Sequence, residues 1–155
     1  MDDELAAYVE DVALFFEAGG LPRIAGRILG FLLVCDPPYR SAAELAEALG
    51  ASKGSISTSL RLLQTGALIE RVPLPGERAT YYQVDSTGFE RRFEAMTSTL
   101  GAFLPIADRG LALLKGEPAE RQRPLRELRA LHAFFHDEMP RLLASWRKSR
   151  KKSRR

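Results

Sequence analysis

The stretch SAAELAEALGASKGSISTSLRLLQTGALIERVPLPGERATYYQV, residues 41–84, holds two short helical patterns followed by two short strand patterns. Ser41-Ala-Ala-Glu44 is a capping box: a Ser hydroxyl and a Glu carboxylate three positions on satisfy two orphan backbone donors of a helix start. The spacing predicts a helix to about Leu49, with Leu45 and Leu49 inward and Gly50 as its stop. Ser52 opens a second helix to Thr65, closed by Gly66. Two short helices joined through Gly50-Ala51 have the form of a helix-turn-helix. Residues 67–72 and 79–84 are rich in β-branched and aromatic side chains, and Pro73-Leu-Pro-Gly76-Glu-Arg78 between them supplies turn chemistry. A hairpin placed directly after a helix-turn-helix is a wing.

The chemistry of the segment lies on the helix from Ser52 to Thr65. At 100° per residue, Ile56, Leu60 and Leu63 share one face. Gly54, Thr58, Arg61 and Thr65 fall opposite, flanked by Ser55 and Ser57. This outer face is small and hydroxylic, with one arginine. A helix that enters the major groove needs small residues for close approach. It also needs hydrogen-bond formers for phosphates and base edges, and often an Arg that grips guanine with two bonds. Ser52, Lys53 and Ser55 stand at the helix start, where free amides favour phosphate. A face made only for solubility would carry Glu and Lys. Arg78 at the hairpin tip and Arg71 on the preceding strand can reach a neighbouring groove, or pair with Glu70 or Glu77. Ser41 completes the set of candidate DNA contacts. Residues 21–85 hold seven basic and six acidic side chains, a difference of only +1. The DNA reading therefore rests on where the charges point.

On either side of this unit the patterns are helical. Residues 3–18 set Leu5, Tyr8, Val12, Phe15 and Phe16 on one stripe, stopped by Gly19-Gly20. Residues 22–35 are apolar almost all round and are expected to be buried, ending at Asp36-Pro37-Pro38. After Ser86, Phe89, Phe93, Met96, Leu100 and Phe103 form a stripe, with a kink or break expected near Leu104 because of Pro105. Beyond Pro118, Leu125, Leu128, His132, Phe135, Met139, Leu142 and Trp146 form another. The expected architecture is mostly α with a β-hairpin wing. It comprises an N-terminal dimerisation helix (1–20), a winged helix-turn-helix (21–85), a C-terminal helical dimerisation region (86–146) and a disordered basic tail (147–155). The near-3.5-residue spacing of the outer stripes suits helix-against-helix packing, so a homodimer is the expected partner arrangement. Two-fold symmetry would present two reading helices to successive major grooves, about 34 Å apart, on an inverted-repeat operator.

At 155 residues with 45% apolar and 28% charged side chains, the chain is long enough for one domain with a core. Its acidic start lacks the form of a secretory signal. Its longest apolar run, Phe31 to Cys35, is far short of the roughly 20 residues of a membrane span, so a cytoplasmic protein without a membrane partner is expected. The net charge of +3 conceals an asymmetry. Residues 147–155 carry seven Lys or Arg and no acid, and taking those seven from +3 leaves −4 for residues 1–146. Such a stretch either holds polyanions or serves as a solvated end. Cys35, the single cysteine, reads as a small buried hydrophobe, with a redox thiol as the alternative. His132 and His136 stand one helical turn apart, a chelating spacing that lacks a third placed ligand, so no metal is expected. No phosphate loop or nucleophile elbow is present; neither an enzyme nor a cofactor is expected.

The run LPRIAGRILGFLLVCDPPYRSAAELAEALGASKGSISTSLRLLQTGALIERVPLPGERATYYQV resembles the GbsR branch of MarR-type regulators. PRIAGRILG, ELAEALGASKGSISTSLRLL and GALIERV with PGERATYY carry the resemblance. Within that branch it is similar to the actinobacterial repressors of RND-type lipid and drug exporters. The resemblance implies a homodimer with a winged helix-turn-helix on each protomer, repressing a nearby promoter until an effector releases the duplex. Matched residue by residue, DNA contacts fall on Ser52, Lys53, Ser55, Ser57, Thr58 and Arg61, with a wing contact at Arg78. The basic stretch after Trp146 is outside the common pattern. A small hydrophobic effector would find aromatic side chains at Phe15, Phe16, Phe93 and Phe103, with Arg23 for a polar head group. The same aromatics are equally readable as core. Two rivals to a specific regulator stay open: a winged helix used as a protein-interaction module, and an architectural DNA binder held by its basic stretch.

Overall fold

The computed structural model describes residues 2–153, with side chains for residues 2–150. In chain order the elements are α1 (Asp3–Ala18), α2 (Arg23–Val34), β1 (Arg40–Ser41), α3 (Ala42–Leu49) and α4 (Lys53–Thr65). They are followed by β2 (Ile69–Val72), β3 (Tyr81–Val84), α5 (Gly88–Leu113) and α6 (Ala119–Ser153). The chain forms two compact units, one ending at Phe89 and the other beginning at Glu90.

In the first unit α2 is the central element. Ile28 and Leu29 of α2 are fully buried with Val9, Leu45, Ile56, Leu63 and Leu68, so α1, α3, α4 and the strand end share one core. The α1–α2 crossing is set by small residues. A Cβ on Gly26 would lie 2.7 Å from Ala13 Cα, and one on Gly30 would lie 3.0 Å from Val12 Cβ. Of the α1 stripe, Leu5, Val12 and Phe16 are half-buried, and the close crossing decides which residues of α1 are buried fully. Val9 and Ala13 are the residues buried, while Tyr8 and Phe15 stay 37% and 73% exposed. Glycines in the partner helix draw in the smallest side chains, and Ala13 has too little apolar bulk to register as part of a stripe. At the rim, Arg23 bonds the Glu10 carboxylate at 3.0 and 3.2 Å. Arg27 Nε lies 2.7 Å from the same group, close enough for charge attraction, although its N–H is not aimed for a hydrogen bond. The all-round burial expected of α2 fails at its end, where Leu33 and Val34 are about half exposed.

The sheet is three-stranded and antiparallel, in the order β1-β3-β2. Arg71 lies opposite Tyr82, and Tyr82 in turn opposite Arg40. Strand β1 has no counterpart in the sequence reading, because two residues are too few to show a period. The wing strands are shorter than expected. Ala67 takes a left-handed φ of 54°, and the Leu68 N–H donates back to Leu63 O, which holds both residues in the α4 exit turn.

In the second unit, the remainder of α5 and α6 form an antiparallel hairpin. Arg147 meets Glu90 and Glu94, His136 meets Thr97, and Arg129 meets Asp108. The turn passes through Gly116 at φ +88°. Of the kink or break expected near Leu104, the break does not occur: α5 runs unbroken through Pro105. Proline removes one internal bond, and α6 contacts flank it on both sides, at His132–Leu100 and Arg129–Asp108. The basic stretch also differs from expectation. Helix α6 extends to Ser153, so residues 147–153 are helical rather than disordered. Lys and Arg are good helix formers, and cations favour a helix C-terminus. Arg154 and Arg155 lie outside the described residues. No helix among the described residues is long and apolar enough to cross a membrane.

Candidate nucleic-acid interface

The reading helix is positioned by two caps. Ser41 starts α3 as a full capping box: the Glu44 N–H donates to the Ser41 hydroxyl at 3.3 Å, and Glu44 accepts the Ser41 N–H and O–H at 2.7 Å each. Those two bonds, the backbone one foremost, hold the Glu44 carboxyl below its usual range. Gly50 ends α3 in the left-handed conformation, φ 58° and ψ 36°, which only glycine adopts without strain. The chain thereby turns to Ser52, whose hydroxyl accepts the Ser55 N–H at 3.2 Å and starts α4.

Ile56, Ser59, Leu60 and Leu63 of α4 are buried. Ser52, Lys53, Gly54, Ser57, Thr58, Arg61 and Thr65 are exposed, with Ser55 half-buried. A Cβ added to Gly54 would meet open space, so no packing inside the protomer calls for glycine there. On the wing, Arg71 and Arg78 are exposed. Glu70, one of their suggested partners, instead accepts from Gln83 at 2.7 Å. Ser41 differs from the rest of the candidate set. It is buried and its hydroxyl is consumed by the cap, so it positions the motif without presenting itself to a ligand.

The seven cations of residues 21–85 divide by use. Arg23 and Arg27 face Glu10. Arg40 donates to the carbonyls of Asp36, Pro37 and Tyr39 at 2.6–2.7 Å, with its guanidinium 5.9 Å from the Phe31 ring centroid. Lys53, Arg61, Arg71 and Arg78 make no ion pair among the described residues. The near-zero charge sum thus hides four uncompensated cations on the reading helix and the wing. Arg40 has a structural role that the sequence concealed. It ties the α2 exit to β1, and no pattern announces three carbonyl acceptors that exist only in the folded turn.

The ligand candidates fall into two groups. In the first unit Phe15 packs edge-on against Phe16 at 5.2 Å, Phe16 lies 6.1 Å from Phe89, and Arg23 is engaged by Glu10. In the second, Phe93 is half exposed and Phe103 packs on His132 at 4.4 Å. His136 Nδ1 lies 3.0 Å from Thr97 O and His132 Nδ1 3.4 Å from Leu100 O. Among the described residues no three His, Cys, Asp or Glu side chains gather as a metal site would require. Burial pushes the Cys35 thiol up, away from the thiolate that a redox sensor needs.

This geometry agrees with the comparisons to known proteins. Residues 19–78 match the MarR family, and residues 87–149 match the MmpR5-like MarR family transcriptional regulators. The HTH-type transcriptional regulator MmpR5 of Mycobacterium tuberculosis (strain ATCC 25618 / H37Rv) is 39% identical over 136 residues, 88% of this chain and 82% of that protein. A putative HTH-type transcriptional regulator of Bacillus subtilis (strain 168), YvaV, is 28% identical over 59% of this chain and 51% of its own. A crystal structure of a transcriptional regulator superposes with a TM-score of 0.76 at 37% identity, covering 94% of this chain and 99% of that one. The chain belongs to the MarR family of winged-helix transcriptional regulators, which bind specific DNA sequences and are not enzymes.

Proposed function

We propose that this regulator acts in the cytoplasm as a homodimer. It occupies an inverted-repeat operator, represses a transport or efflux operon, and leaves the duplex when a small hydrophobic effector binds. The observation that carries the reading is the outward face of α4, small and hydroxylic around Thr58, with Lys53 and Arg61 left without acidic partners. Ser52, Lys53 and Ser55 are assigned to phosphate at the helix start. Ser57, Thr58 and Arg61 are assigned to base edges, and Arg71 and Arg78 to the flanking backbone or groove. The transport operon and the effector are supported by the resemblance to exporter repressors. The aromatic side chains of α1 and α5 supply suitable chemistry for a greasy ligand.

Binding of the purified protein to its own upstream DNA, compared with random duplex of equal length, tests the assignment. A specific regulator prefers the former by about 1,000-fold or more. Equal affinity for the two would establish the architectural reading instead. Arg61→Ala should cost about 1–3 kcal/mol on the operator and relax preference at one base pair. A uniform loss on all sequences would reassign Arg61 to phosphate.

A further inference from the structure

The cationic end of α6 is not absorbed by the interface described above. It lies mostly beyond the family match, which ends at residue 149. Residues 147–155 carry seven Lys or Arg against −4 for the rest of the chain. The structure separates these cations into two sets. Arg147 bridges Glu90 and Glu94, and Arg150 approaches Glu90 at 3.8 Å. Glu90 is the better shielded of the two acids, its side chain 13% exposed against 46% for Glu94. These two arginines are committed to α5. Lys148 is exposed and makes no ion pair among the described residues, and the helix places Lys152 one turn beyond it. Lys151, Arg154 and Arg155 add to the same run.

The clamp also fixes where the run begins. Glu90 directly follows Phe89, the last residue of the winged unit. Within the second unit, the clamp thus joins the start of the run to the first turns of α5. The run that starts there contains no acid of its own. Its chemical complement is a polyanion, and duplex DNA carries one charge per about 1.7 Å of axis.

We propose that the cationic end of α6 is a second DNA-binding element, which grips the phosphate backbone beside the operator whatever its sequence and is anchored by the Arg147–Glu90–Glu94 clamp. The proposal rests on the reading that the winged unit holds duplex DNA. It adds affinity and salt dependence, whereas α4 supplies sequence preference.

The test is a full-length variant with Lys148, Lys151, Lys152, Arg154 and Arg155 all replaced by Gln, leaving Arg147 and Arg150 in place. Operator and random duplex are titrated with both proteins over a range of salt, and anionic phosphatidylglycerol vesicles are tested by co-sedimentation. Each lost phosphate contact removes about 0.9 from the slope of log affinity against log salt. The expected result is a slope shallower by at least about 2 per protomer on both duplexes, with affinity about tenfold or more weaker at low salt. The operator-to-random ratio should stay within about threefold of the parent. An unchanged slope overturns the proposal, as does loss of operator preference in the variant alone. Vesicle binding that depends on these cations, with an unchanged DNA slope, reassigns the element to a membrane surface. A parent protein that does not prefer its operator sinks the regulator reading, yet the slope on random duplex still decides the role of α6.

Discussion

Gly54 stands in the first turn of α4, where its missing side chain leaves only open space. Glycine in a helix costs up to about 1 kcal/mol relative to alanine, and nothing in the protomer requires it. The demand must come from outside, which is what close approach of a helix to a base or phosphate would impose. Gly54→Ala is therefore expected to raise the melting temperature slightly or leave it unchanged, while weakening operator binding about tenfold or more. A variant that gains stability and binds as before would remove α4's first turn from the interface. The outer face of α4 was legible because helical period and side-chain chemistry coincide there. Arg40 was not, since a guanidinium serving the carbonyls of Asp36, Pro37 and Tyr39 looks in sequence like any other cation. Ser41 misled in the opposite direction: a hydroxyl beside a reading motif suggested contact, and the same Ser-x-x-Glu pattern that predicts the cap accounts for its use.

At the scale of elements, the motif depends on how its helices start and stop. Glu44 holds the start of α3 by accepting from Ser41, and its carboxyl is shifted down by those bonds. A depressed folded-state value means that the contribution is present above the unfolded-state range and disappears as pH falls through the folded one. Glu44→Gln should thus cost about 0.5 kcal/mol near neutral pH, the low end for a cap because the residue is largely solvated, and nearly nothing once the pH is low enough to protonate the folded-state carboxyl. Denaturant melts at the two pH values check this, and a penalty equal at both would deny the carboxylate its role. Gly88 is the stricter requirement. A Cβ there would collide with the Ala67 carbonyl, which is backbone and cannot swing aside. Gly88→Ala is expected to destabilise the winged unit by about 2–3 kcal/mol, seen as a lower melting temperature. Caps and glycine stops were readable in advance because each is a local rule. The continuity of α5 through Pro105 was not, and neither was β1, whose existence depends on contacts with residues distant in sequence.

For the whole molecule, the distribution of apolar surface argues for a partner. The second unit buries only Ala107 and Leu143 among its described hydrophobic residues, while Leu128, Leu131, Phe135, Leu142 and Trp146 of α6 stay 41–61% exposed. They recur at steps of three, four and seven residues along one helix, the spacing that a facing helix would cover. A monomer that left so much contiguous apolar surface in water would be prone to association, and a two-fold partner covers identical faces at once. Because Leu131 and Leu142 are 52% and 61% exposed within the protomer, charging them should leave its own core intact. Leu131→Glu/Leu142→Glu is expected to keep its helical circular dichroism while sedimenting as a monomer where the parent sediments as a dimer. Operator affinity should then fall by about 100-fold or more, since one reading helix no longer delivers the second to the next major groove. Random duplex, bound largely through phosphates, should lose much less. Parent protein that sediments as a monomer at micromolar concentration would leave these faces without an occupant and the inverted-repeat operator without its cause.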